Sequence, residues 1–379
     1  MTKYELSIST GYVPDWGITE AFRELFQNAL DNEIKNPENK MICSYNEEEQ
    51  TITICNKTSK LTSESLLLGS STKADDDETI GQHGEGYKIA FMILLRNNKK
   101  ITVYNYGARE IWQVRLVKSK KYNNQLVTTV FVDKEAVWKR VPDCDLTIKV
   151  EGITAEEYKD IVKKNLHLRT DTVERYDIPS KGAILLDARE RGNIYVKGLF
   201  VNKIDSLHYG YDFEPSVIKL DRDRKLVDSF NVSWESSLLW KYAASKDSKM
   251  TDLMVDMVKH NVLDTAYLDS RSTCNSSIEQ AIYDAIGEDF INCYGDDAVP
   301  VINNAEYDAV KELHLGSPII VTSRYAESLS RSTKVNNPEI VVTNDKVQKK
   351  FQEFAGKIAY KLTDEERKQL YELIDLIKY

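Results

Sequence analysis

Apolar side chains recur every three to four residues along "DWGITEAFRELFQNALDNEIKN" (residues 15–36), a period that predicts one long helix stopped before Pro37. The period then changes to two. "KMICSYN" and "TITICN" alternate apolar and polar positions on either side of the acidic turn "EEEQ" and read as a β-hairpin. Residues 57–80 carry few apolar anchors and include "KADDDE", which predicts a mobile loop. "IGQHGEGYKIAFMILLRNN" follows, a glycine-punctuated turn running into an apolar helix, and then "KKITVYNYG", "EIWQVRLV", "QLVTTVFVD" and "CDLTIKVEG" give four strand-like runs.

Helices on one face of a mixed, largely antiparallel sheet make an α+β layer fold across residues 1–155. A second α/β region, 156–240, opens with a helix and contains the strand-like "AILLDA" and "GNIYVKGLFVN". From 241 to 379 the chain turns mainly helical, with capping boxes from Ser276 to Glu279 and from Thr363 to Glu366. Between those boxes, "VPVIN", "AEYDAVKELHLG" and "PIIVTS" have the lengths of a β-α-β crossover, so a third, mixed domain is expected there.

The first helix raises a chemical question. At 100° per residue, Glu24, Asn28 and Asp31 lie within about 60° of one another, with Gln27 beside them. Phe22, Leu25, Phe26 and Ala29 fall on the opposite side. A helix that needs only a soluble face uses Lys and Glu. A carboxylate, an amide and a second carboxylate in one row either decorate solvent or form the floor of a site.

Composition narrows the classes. Of 379 residues, 41% are hydrophobic and 29% charged, enough to bury cores in two or three domains without staples. A net charge of −9 disfavours wrapping of nucleic acid by the whole molecule. The five cysteines (Cys43, Cys55, Cys144, Cys274, Cys293) and five histidines are scattered, which disfavours a zinc site or a disulfide framework. No stretch near residue 1 sets a basic start before an apolar run, and no apolar segment approaches a membrane span, so a cytoplasmic, membrane-free protein is expected.

"GQHGEGYK" (81–88) is the second chemical stretch. Gly81, Gly84 and Gly86 let backbone approach a ligand closely, and the helix that begins there offers free N–H groups and a positive dipole end, a seat for phosphate. It is not a P-loop, because Tyr87 stands where Lys is required after Gly81 and Gly86. It is not the dinucleotide fingerprint either, whose glycine order differs. Alone, three glycines serve a structural turn as well as a phosphate loop.

Taken in order, the helix with Glu24-x-x-x-Asn28-x-x-Asp31, the hairpin, the loop with "GSSTK" and "IGQHGEGYK" opening a second helix resemble the GHKL superfamily. That group includes gyrase B, MutL proteins, ninety-kilodalton heat-shock chaperones, MORC proteins and histidine kinases. The resemblance covers about residues 15–150 and is nearest in motif style to the chaperone and MORC branches; large parts of the chain also look like uncharacterised bacteriophage ATP-binding proteins. It implies a Bergerat sandwich holding ATP between helices and a lid. Glu24 would then be the general base for an attacking water, Asn28 the Mg²⁺ ligand, and Asp31 the group that organises the site behind them. Lys73 and Lys88 would meet phosphate charge, unless they are surface lysines. The family's adenine-reading Asp-x-Gly-x-Gly is replaced: Asn56 aligns with the Asp, and Thr58 and Lys60 with the glycines. A late-strand Thr would be Thr147, and a cation completing the site from the next domain would come from Lys197, Lys203, Arg222, Arg224 or Lys225.

The resemblance implies a Mg-dependent ATP-binding protein and slow ATPase, a conformational switch acting on a macromolecular partner, with ATP-dependent pairing of two copies. Phage-encoded, it would work in the host cytoplasm. The alternative is a binding protein that keeps the nucleotide as a structural ligand and docks on a host or partner protein. Nucleic-acid engagement has only the basic stretches "KSKKYNNQ" and "DRDRK" behind it, and these read equally as solvated loops.

Overall fold

The computed structural model describes residues 1–62, 66, 86–134, 144–220, 229–268, 276–338 and 344–375. The chain divides into two units, Met1–Glu235 and Ser236–Tyr379.

The first unit is built on a seven-stranded sheet. In chain order its elements are β1 (Thr2–Ser9), α1 (Ile18–Lys35), β2 (Met41–Asn46), β3 (Thr51–Asn56), α2 (Gly86–Arg96), β4 (Lys100–Asn105), β5 (Glu110–Ser119), β6 (Gln125–Asp133) and β7 (Leu146–Glu151). The strands run in the order β1-β6-β5-β4-β7-β3-β2, and every neighbouring pair is antiparallel. The mixed, largely antiparallel sheet that was expected is antiparallel throughout its paired strands. Strand β1 had not been anticipated; Leu6 and Ile8 alternate into the core, and the strand closes the edge beside β6.

α1 contacts β2 and β3, α2 contacts β1, β4, β5 and β6, and the two helices pack on each other. Phe22, Leu25, Phe26 and Ala29 of α1 and the run Ile89–Leu94 of α2 join Ile52, Ile54, Val103, Ile148 and Val150 in one core. Burial of this apolar surface, at roughly 25 cal/mol per Å², holds the layers together.

Two polar devices then fix the helices. Arg96, in the last turn of α2, donates through Nη1 to the carbonyls of Thr10 (3.1 Å) and Tyr12 (3.2 Å), and through Nη2 to those of Val13 (3.3 Å) and Trp16 (2.5 Å). This guanidinium gathers the loop that leads into α1. Val13 sits there at φ 42°, a left-handed conformation costly for a β-branched residue, and the fork holds it. At the other end of the layer, Asn105 both accepts from Leu61 N–H (3.1 Å) and donates to Leu61 O (2.8 Å), while Asn39 accepts from Thr58 N–H (2.8 Å). Residues 57–62 of the expected mobile loop are thus pinned; most of the remainder, like Arg222, Arg224 and Lys225, lies outside the described residues.

A short helix, α3 (Ala155–Lys163), packs on α1 and leads to a second sheet of β8 (Arg175–Ile178), β9 (Gly182–Leu185), β10 (Asn193–Val196), β11 (Leu199–Lys203) and β12 (Gly210–Phe213). Its order is β11-β10-β12-β9-β8, with β10 and β12 parallel. Lys197 (φ 51°) and Gly198 (φ 76°) make the two-residue turn between β10 and β11, and both need the left-handed region that such a hairpin requires.

α4 (Ser229–Ala244) carries the chain into the second unit, which holds α5 (Ser248–Lys259), α6 (Ser276–Tyr294), β13 (Ala298–Val301), α7 (Asn304–Glu312), β14 (Ser317–Ile320), α8 (Ser323–Ser330), α9 (Asn344–Ile358) and α10 (Asp364–Asp375). β13 and β14 pair in parallel with α7 between them, the crossover that the spacing predicts. The Thr363–Glu366 capping box forms as read, Thr363 N–H donating to Glu366 Oε2 at 2.9 Å and Glu366 N–H to Thr363 Oγ1 at 3.3 Å. Among the described residues, no helix is long and apolar enough to cross a membrane.

Candidate functional site

The polar row of α1 is largely withdrawn from solvent, with Asn28 half-buried. Glu24 is 1% exposed, Asp31 is fully buried, and Gln27 is buried with them. Because Phe22, Leu25 and Phe26 are buried on the opposite side, α1 is a helix sandwiched on both faces, with its acids turned inward. Burying carboxylates is costly unless something meets them, so the row is either a polar core or the floor of a site.

The row lies against the second helix. Gly86, the first residue of α2, lies directly over the row: a Cβ built there would stand 2.9 Å from Asn28 Nδ2 and 2.9 Å from Glu24 Oε2. The described start of α2 therefore lies against one carboxylate and one amide. Asn28 is oriented by its own helix. Its Nδ2 donates to Glu24 O at 2.7 Å, and among the described residues no donor is directed at its Oδ1, which leaves a hard oxygen available. Arg23 Nη2 lies 3.4 Å from Glu24 Oε1, and the same guanidinium stacks 4.9 Å from the Trp16 ring. Burial raises the Tyr87 phenol above its usual pKa, and the Asp31 carboxylate adds to the effect.

Lys88 is fully buried on α2, which removes its reading as a surface lysine. Asn56, 3% exposed at the end of β3, donates through Nδ2 to Ala29 O and to Asn39 O, both at 3.1 Å. These two carbonyls fix the amide so that Oδ1 is the end left to accept a hydrogen bond, directly beside α1.

Thr147 is not brought to this group. It alternates on β7 with Leu146 and Ile148, which face the core under the helices, and its hydroxyl lies on the other face, 3.4 Å from Cys55 Sγ. Lys197 and Lys203 are held by acids of their own region, Glu214 at 2.9 Å and Asp205 at 3.2 Å. Lys73, Gly81 and Gly84 lie outside the described residues.

No protein-family model matches this chain, and no curated protein does. Among solved structures, it is similar to the ATPase region of Saccharomyces cerevisiae topoisomerase II, at 14% identity and a TM-score of 0.29 over 48% of this chain and 62% of that one. The same region bound to ICRF-187 (dexrazoxane) matches at 13% identity and 0.29, again over 48% and 62%. The ATPase and transducer domains of DNA topoisomerase II from Balamuthia mandrillaris match at 12% and 0.31, over 48% of this chain and 60% of that one. At these identities and TM-scores the likenesses carry no argument about the site, whose chemistry rests on the side chains themselves.

Those side chains make a coherent set. A buried carboxylate, an amide oxygen and the described start of α2 converge, with a second amide oxygen at the end of β3. The anchors Arg96, Asn39 and Asn105 were not foreseen. Arg96 closing an apolar helix is the one signal that could have singled out a residue among them.

Proposed function

We propose that residues 1–155 bind ATP with Mg²⁺ and hydrolyse it slowly, and that binding switches the conformation of residues 156–240 and 241–379 toward a protein partner. The observation that carries this reading is the seating of Gly86 on Glu24 and Asn28. Phosphate charge suits the first turn of α2, and Asn28 Oδ1 suits a magnesium ion, which takes hard oxygen ligands and keeps several waters. Among the described residues there is no cluster of three or more His, Cys, Asp or Glu, so the ion would take most of its ligands from phosphate and water. When bound, it neutralises charge on the phosphates. Glu24 holds and accepts the proton of the attacking water, Asp31 orders the polar floor, Lys88 offsets negative charge close to it, and Asn56 Oδ1 accepts from the base amine.

The resemblance of the chain's order to gyrase, MutL and the chaperones supports a partner and ATP-dependent pairing of two copies. A second reading, ATP as a structural ligand of a docking protein, is favoured by Arg23, whose guanidinium competes with a water for the Glu24 carboxylate.

The test is calorimetric titration of the full chain with ATP. Binding is expected in Mg²⁺, weakened in EDTA and lost in Asn28→Ala; a wild type that binds no nucleotide removes the proposal. Asn56→Asp gives a further expectation. It restores the family's residue, yet it lowers ATP affinity and destabilises the protein by about 1–3 kcal/mol, because a carboxylate cannot donate to Ala29 O and Asn39 O. Urea unfolding and ATP titration of the variant check both.

A further inference from the structure

The outer backbone groups of an edge strand invite another strand unless a charge, a proline or a bulge guards them. Most edges here are guarded. β1 carries Lys3 and Glu5 and shifts register between Glu5 and Ser9. β8 carries Arg175 and Asp177, and β11 ends in Lys203. β13 and β14 contain Pro300 and Pro318. Among the described strands, β2 is the exception. Its sequence, MICSYN, has no charge, proline or glycine, and it pairs with β3 in unbroken register. It is the last strand of its sheet, so no described strand pairs with its outer side.

Alternation along the ladder shows which groups point outward. Asp145 N–H donates to Asn56 O at 3.2 Å, so Asn56 and every second residue before it in β3 face β7. Their partners in β2, Met41, Cys43 and Tyr45, therefore turn their N–H and C=O groups out of the edge. Met41 N–H is already met, donating to Glu33 Oε2 at 3.0 Å. Cys43 and Tyr45 are left to offer both groups. The strand is held in place from the helix side, where Tyr45 stacks on Tyr158 at 4.1 Å and its hydroxyl donates to Ile153 O at 3.0 Å. On the other face Ile42 is 50% exposed, and Ser44 and Asn46 are exposed with it.

We propose that β2 pairs antiparallel with β2 of a second copy of this chain, across a two-fold axis at Ser44. The spent Met41 N–H sets the register: Cys43 of each copy exchanges its backbone bonds with Tyr45 of the other, which leaves Ser44 opposite Ser44 and Ile42 opposite Asn46. Charge selects the occupant. Lys40, exposed just before the strand, comes to the other copy's turn, which carries Glu47, Glu48 and Glu49, and the symmetry makes this match twice. A parallel arrangement would instead set acidic turn beside acidic turn. One strand per copy buries less than the roughly 1,600 Å² of a standard interface, so the dimer is weak and concentration-dependent. It needs no nucleotide and is independent of the ATP reading.

Sedimentation of the full chain without nucleotide should show a monomer–dimer equilibrium between about 1 and 200 μM. Ser44→Lys sets two like charges on the axis and should weaken the dimer about fivefold or more. Because Ser44 is exposed, the variant's melting midpoint should stay within about 2 °C of wild type. Ser44→Cys places two thiols at a non-hydrogen-bonded pair, about 4.5 Å between Cα atoms and within disulfide reach. Mild oxidation of that variant should link two chains through position 44, as mapped by peptide mass spectrometry. A wild type that stays monomeric throughout the range, a dimer indifferent to Ser44→Lys, or a dimer in which position 44 forms no interchain disulfide overturns the proposal.

Discussion

Glu24→Gln is expected to lower ATP turnover by about 10²–10⁴-fold, the usual contribution of a positioned general base, while Mg-ATP affinity stays within about threefold. The substitution is nearly isosteric, and this matters because Glu24 is 1% exposed and its Oε2 already lies against Gly86. A smaller residue would leave a gap under α2, and any loss could then be blamed on packing. Gln fills the same space, keeps an oxygen that can orient a water, and removes only the ability to take its proton. Single-turnover hydrolysis and equilibrium nucleotide binding, measured on the same preparation, separate the two effects. Equal loss of binding and turnover would place Glu24 in the floor's architecture, and turnover equal to wild type would exclude it as the base. Should the wild type bind without turning over, the structural-ligand reading prevails, and Arg23, 3.4 Å from the same carboxylate, is the first residue to replace.

Much of this site is written in periodicity. The 3.6-residue pattern of residues 18–35 specifies α1, and because its apolar side is complete without Glu24, Asn28 and Asp31, the polar row stands out as surplus to folding. The alternations in "KMICSYN" and "TITICN" specify the hairpin that carries Asn56 beside α1. Periodicity reports which side chains are buried, however, and not which backbone groups they capture. Arg96 reaches four carbonyls between residues 10 and 16, and nothing in those residues' side chains announces this, since the acceptors are common to every amino acid. The same holds for Asn56, whose orientation depends on the carbonyls of Ala29 and Asn39.

Strand β1 escaped for another reason. "TKYELSIS" alternates properly, but so short a run near the start of the chain gains its meaning from pairing with β6, more than a hundred residues away. Thr147 illustrates the reverse error. Its residue type and late-strand position match the family pattern, but side-chain direction in a strand is set by register, and the register of β7 with β3 turns it to the face away from α1.

Gly86→Ala is expected to part stability from function. A Cβ at this position has to displace Glu24 Oε2 and Asn28 Nδ2, each 2.9 Å away, and both are ends of side chains rather than backbone. The fold can absorb the methyl by swinging those groups aside. Ala is also a better helix former than Gly by up to ~1 kcal/mol, so the unfolding midpoint should hold or rise. The site cannot absorb it. Moving Asn28 Nδ2 breaks its 2.7 Å bond to Glu24 O and releases the amide from the orientation that presents Oδ1, while the carboxylate is pushed from its place under the helix end. Displacements of about 1 Å at reacting groups cost on the order of 10²-fold in rate, and a loss of that size in turnover, with weaker Mg-ATP binding, is the expected result. Thermal unfolding and ATP turnover of the same variant decide the matter. A variant as active as wild type would mean that the placement of Glu24 and Asn28 under Gly86 does not matter to turnover. A variant that is both inactive and strongly destabilised would mean that glycine is required there for the fold.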